Sequence, residues 1–150
     1  MTSSDIAARR RWMGVLAKAQ APEIDEAWGA LGAPSGYVHL RRPETGLAMV
    51  RGRMGGDGAP FNVGEMTVTR CSVRLADGAV GHAYVAGRDG SHAERAAVID
   101  ALLQDEGRRA DIEALVIAPL ERAQAERRDA ASRKAAATRV DFFTMLRGET

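Results

Sequence analysis

The chain has 150 residues, enough for one domain or one domain with an arm, and its 21 basic residues nearly balance its 20 acidic ones, for a net charge of +1. That balance excludes a nucleic-acid-binding protein driven by bulk charge, though not a local basic site. Ala supplies 28 residues and aromatics only seven, so the 45% hydrophobic content promises a modest core.

Ser3 or Ser4 is placed to cap a first helix over 3–19, with Ile6, Trp12, Val15, Leu16 and Ala19 near one face. Pro22 suits the start of a second helix, 23–31, with Glu23, Asp25 and Glu26 in its first turn and Gly32 and Pro34 beyond its end. The middle is extended. Strands are predicted over 37–41, 47–54, 61–63, 66–75 and 80–86, with Asp77-Gly78 as a hairpin turn. Within 66–75, Thr67, Thr69, Cys71, Val73 and Leu75 share one face, and Met66, Val68, Arg70, Ser72 and Arg74 the other. Ser91-His92-Ala93-Glu94 reads as a capping box opening a helix to about residue 106. Residues 112–117 suit a strand or a short helix. Pro119 suits the start of a last helix, whose 120–137 stretch carries no apolar stripe.

These elements predict an α+β fold: N-terminal helices, a small, mainly antiparallel sheet, a packed helix and a long C-terminal helical arm. Residues 1–118 form the α+β domain. Residues 119–150 form the arm and an apolar tail of the same structural unit. Cys71 is the only cysteine, so no disulfide forms within the chain and no cysteine metal cluster is available. No apolar run spans a bilayer and no leader precedes the first helix, so a cytoplasmic protein away from membranes is expected.

Several strings in fixed order resemble the PhnG family, the G subunit of the bacterial carbon–phosphorus lyase system. They include Arg11-Trp12-Met13, Glu44-Thr45-Gly46-Leu47, Arg53-Met54-Gly55-Gly56 and Gly87-Arg88-Asp89. They continue with His92-Ala93-Glu94-Arg95, Ile99-Asp100-Ala101-Leu102, Ile117-Ala118-Pro119-Leu120 and the closing run from Arg139 to Gly148. The resemblance implies a subunit of a complex with H, I, J and L partners in phosphonate utilisation. It implies support for displacement of adenine from ATP by a phosphonate, giving alpha-D-ribose 1-methylphosphonate 5-triphosphate. It implies no cofactor of the chain's own, the complex using MgATP and a phosphonate, and no activity of the chain alone.

Such chemistry needs anion clamps and a proton for the leaving base. Arg88 and His92 sit together where a strand meets a helix start, a place suited to anions. Helix capping by Ser91 and Glu94 accounts for the same residues with an exposed His92, and is the more economical reading. Arg51 and Arg53 alternate onto one strand face beside a glycine loop, where they could grip phosphate or simply be solvated. The three histidines show no metal-ligand spacing, so no metal site is expected. Cys71, among apolar neighbours, reads as a small buried hydrophobe. Val140, Phe142, Phe143, Met145 and Leu146 crowd five apolar side chains into seven positions and read as a partner-binding hook. The favoured role is a non-catalytic subunit. The alternatives are a direct contributor of substrate-gripping or catalytic residues and, more remotely, a nucleic-acid or regulatory binding module.

Overall fold

The computed structural model describes residues 1–147, with side chains to Thr138. Helix α1 (Ser3–Lys18) and helix α2 (Ala21–Ala30) precede strand β1 (Val38–Arg53). A 3-10 turn, Met54–Gly56, leads into β2 (Pro60–Arg74), which returns as β3 (Val80–Ala86). Helices α3 (Gly90–Leu103) and α4 (Glu106–Ile112), a π-helical turn over Glu113–Ile117, and α5 (Ala118–Arg147) complete the order. This agrees with the α+β expectation.

The caps fall elsewhere than predicted, for a local reason. Thr2, not Ser3 or Ser4, caps α1, because only Thr2 has an acidic residue three positions on. The Asp5 amide donates to Thr2 Oγ1 (3.2 Å) and the Thr2 amide donates to Asp5 Oδ2 (3.0 Å). Asp89, not Ser91, caps α3: its Oδ1 accepts from the His92 amide at 3.0 Å. Ser91 lies inside the helix rather than at its cap, and Glu94 Oε1 meets Tyr37 and His39 instead.

The five predicted strand segments merge into three long strands in the order β1-β2-β3, all antiparallel. Register shifts at His39/Arg41 and Arg41/Glu44 absorb Arg42 and Pro43. Proline cannot donate to a ladder, and the edge position of β1 tolerates it. Strand β3 pairs only with the Val68–Arg74 half of β2. The outer part of the β1–β2 hairpin therefore runs on as a two-stranded ribbon.

Helix α3 lies against the sheet face that carries Thr69, Cys71 and Val73, all buried. Gly81 allows the close approach: a Cβ there would lie 1.8 Å from the Ala97 carbonyl oxygen. Helices α1 and α2 pack on α3 in turn. Residues from His92 to Leu103 are consequently buried around almost the whole helix, beyond the single face of Ala97, Val98, Ala101 and Leu102 that spacing suggests.

Residues 112–117 are helical and contain no strand. The wider π turn lies directly before Pro119, whose ring would strike the Leu115 carbonyl in an unbroken α-helix. The first turns of α5 touch the body despite lacking an apolar stripe. Leu120 is buried, Gln124 Nε2 donates to the Val15 carbonyl at 2.8 Å, and Arg127 pairs with Glu23. Residues 128–138 are exposed.

Candidate functional site

Three places gather the residues that could carry chemistry. The first is the N-terminal end of α3. Gly87 takes a φ of 92°, which favours glycine, and turns β3 into the Arg88-Asp89 loop. Arg88 is exposed. His92 is buried, contrary to the exposed histidine that capping suggests. Its Nε2 lies 2.7 Å from the Leu16 carbonyl oxygen. A carbonyl only accepts, so Nε2 carries the proton.

This contact has a structural cause. The last four carbonyls of α1 have no partner within the helix. His92 satisfies Leu16 and Gln124 satisfies Val15, tying α1 to α3 and to α5. The imidazole, in the first turn of α3, thus acts as a C-terminal cap for another helix.

The second place is a cluster that sequence spacing does not reveal. Tyr37 OH donates to Glu94 Oε1 at 2.7 Å, and His39 Nε2 stands 3.1 Å from the same oxygen. The Tyr37 ring meets Trp28 and His39 edge to face, and Arg95 lies over Trp28 while pairing with Asp25. Burial, and then the Glu94 carboxylate, push the Tyr37 phenol up to about 12. Burial, followed by the charge of Glu94, pushes the Cys71 thiol up to about 11. Cys71 is buried with its Sγ 3.4 Å from the Arg41 carbonyl, so it remains a thiol and not a nucleophilic thiolate near neutral pH. Tyr37 and Glu94 are 57 positions apart; the only local hint was two aromatic rings on alternate residues, Tyr37 just before β1 and His39 within it.

The third place is the ribbon. Arg51 pairs in register with Asn62 and Arg53 with Pro60, and Arg53 Nη1 donates to the Gly58 carbonyl at 3.4 Å. The Gly87 amide bonds the Thr67 carbonyl, and Thr67 is opposite Leu47. Arg51 is four residues further out, roughly 13 Å along the strand. Arg88 and the ribbon arginines therefore stand at different levels of the hairpin, and His92 lies inside the body. The four do not meet in one pocket.

Sequence reasoning also missed Asp100, which is 0% exposed. Its carboxylate accepts from Arg9 Nε (3.1 Å) and Nη2 (2.9 Å), Trp12 Nε1 (2.8 Å) and the His82 amide (2.9 Å). A buried charge so fully hydrogen-bonded is a structural hub joining α1, α3 and the β3 edge. Among the described residues no group of three or more His, Cys, Asp or Glu side chains gathers as metal ligands, and no helix is long and apolar enough to cross a membrane. Val140, Phe142, Phe143, Met145 and Leu146 fall in the last turns of α5, where side chains lie outside the described residues.

Two comparisons bear on these places. The profile of the family described as phosphonate metabolism protein PhnG matches residues 7–148. A curated protein of Rhizobium meliloti (strain 1021), alpha-D-ribose 1-methylphosphonate 5-triphosphate synthase subunit PhnG, is 49% identical over 150 residues, covering 99% of this chain and 96% of that protein. The match thus runs from α1 through the sheet, the buried hub and the whole of α5, and the chain belongs to the PhnG family of phosphonate metabolism proteins.

Proposed function

We propose that this chain is a subunit of an alpha-D-ribose 1-methylphosphonate 5-triphosphate synthase and that it acts by assembly. The observation that carries the reading is the end-to-end 49% identity with the Rhizobium meliloti subunit. In the reaction a phosphonate displaces adenine from ATP; MgATP and the phosphonate are substrates of the complex, not resident groups of this chain. The complex holds H, I and L partners, with J acting later on the carbon–phosphorus bond, and works in the cytoplasm.

The non-catalytic role is supported by how the polar groups are used. His92, the sequence candidate for a general acid, spends its Nε2 proton on Leu16. Cys71 is a buried thiol. The arginines that could clamp anions are dispersed. Helix α5 and its apolar end then serve as one attachment to the neighbouring subunits.

Phosphorus NMR tests the reading. The purified chain alone, given MgATP and methylphosphonate, yields no ribose phosphonate product. The co-expressed complex yields product, and omission of this chain abolishes it. Product from the chain alone, or full activity without it, defeats the proposal.

A further inference from the structure

Seven of the thirteen large apolar residues exposed among the described residues lie between Leu47 and Met66, on the outer ribbon. Register pairs share a face, so Leu47 and Met49 lie on the helix side with Thr67. Val50 and Met66 lie on the opposite face. Phe61 and Val63 join them there: a Cβ on Gly52 would sit 2.7 Å from Val63 Cγ2 and 3.6 Å from Phe61 Cζ. The register shift at Val50/Arg51 swings Val63 onto this side. Among the described residues neither face has a third strand or a helix over it. A two-stranded hairpin on its own is marginal in water, so this ribbon is built to be covered.

At about 100 Å² exposed apiece, these side chains present on the order of 600 Å² over the two faces together, at the upper end of the largest patch on an ordinary monomer and approaching the roughly 800 Å² that one partner gives to a standard interface. Charge narrows the occupant. Arg51 and Arg53 offset Asp57 and Glu65, leaving no net charge between residues 46 and 66. That disfavours a polyanion. The division over two faces narrows it further. A symmetric pairing with a second copy lays one face against its mate and leaves the other wet.

We propose that the ribbon is a tongue that inserts into a cleft of a different protein, another subunit of the synthase, which closes on both faces at once: apolar over Val50, Phe61, Val63 and Met66, and lined on the Leu47 and Met49 face with polar groups that pair Arg51, Arg53 and Glu65. This rests on the subunit reading above and adds the surface and the mode of docking.

The test uses Leu47→Asp for the helix-side face, Val63→Asp for the opposite face, and Ala76→Asp in the exposed β2–β3 turn as a control. Each is co-expressed with the remaining synthase subunits, one of which carries an affinity tag. Circular dichroism melting of each isolated variant checks folding, and these exposed positions should leave the melt unchanged. Both ribbon variants are expected to co-purify at least tenfold less than wild type and the control. Loss from one face alone means docking on a flat surface and overturns the tongue. Full retention of both variants also overturns it. So does an isolated wild-type dimer, seen by light scattering, that both variants break, because the occupant is then a second copy. If wild type itself fails to co-purify, the subunit reading falls and this proposal falls with it.

Discussion

The two halves of the central hairpin are made from the same chain segment and have opposite fates. In the inner half, β2 has β3 on one side, β1 on the other and α3 across its face; Thr69, Cys71 and Val73 are buried there. In the outer half the same two strands continue with neither neighbour, and Phe61 and Val63 face solvent. Apolar side chains in the inner half make a core, and those in the outer half make a surface for something else. Substitutions in the inner half should therefore be read in stability, and those in the outer half in assembly.

The largest expected effect is at Asp100. Asp100→Ala strands three donor groups, the Arg9 guanidinium, the Trp12 indole and the His82 amide. Removing one partner of a buried ion pair costs about 3–5 kcal/mol. In a chain of this size that lowers Tm by roughly 6–20 °C, measured by calorimetry. A melt within a degree or two of wild type would mean that the hub carries little of the core. Val63→Ala, in the outer half, should leave Tm unchanged in the same experiment.

His92→Ala is expected to be milder. It leaves the Leu16 carbonyl without its donor and opens a small void, a loss of about 1–3 kcal/mol by denaturant unfolding. The assembled complex should keep most of its product formation at low temperature. If His92→Ala melts like wild type but the complex makes no product, the imidazole serves the reaction and the capping account is wrong. His92→Gln, which keeps a donor, should recover part of the lost stability.

How much of this was legible beforehand follows from the range of each interaction. Strand periodicity assigned the two faces of β2, and Asp77-Gly78 marked its turn, because both are local signals. Thr2 was legible in principle through Asp5, three residues on. The hub at Asp100 and the imidazole at His92 were not. Their partners, Arg9 and Leu16, lie 91 and 76 positions away, and only the packing of α1 on α3 brings them together. The docking of α5 was missed for another reason. Gln124 and Arg127 anchor it through polar bonds, which a search for an apolar stripe cannot see.

Alkali sharpens the inner half. Cys71 and Tyr37 are both protonated at neutral pH, with folded values of about 11 and about 12 raised above ordinary values of 9.0 and 10.0. The unfolded chain releases these protons first. The stabilisation is complete below about pH 9 and is lost as pH rises through 11 and 12. Denaturant midpoints measured from pH 8 to 11.5 should fall, and less steeply in Cys71→Ala and Tyr37→Phe. At pH 8 the wild-type thiol should react with a disulfide reagent only as fast as the chain opens. Rapid labelling under native conditions would put Cys71 in reach of solvent.

The smallest expected effect on stability is that of deleting residues 139–150. Helix α5 leaves the body after Arg127, and residues 128–138 are exposed. At 1.5 Å per residue, a helix continuing to Arg147 carries its last turns roughly 30 Å from that anchor. A continuous helix cannot bend its end back onto α2 or the sheet. The deletion should therefore shift Tm of the isolated chain by less than about 1 °C, the behaviour of a segment outside the cooperative unit. The same deletion should sharply reduce co-purification with the remaining synthase subunits, because Phe142 and Phe143 would supply two aromatic anchors to that contact. A truncated chain that unfolds would show that the tail completes the core, and one that still assembles at full yield would leave the ribbon as the main attachment.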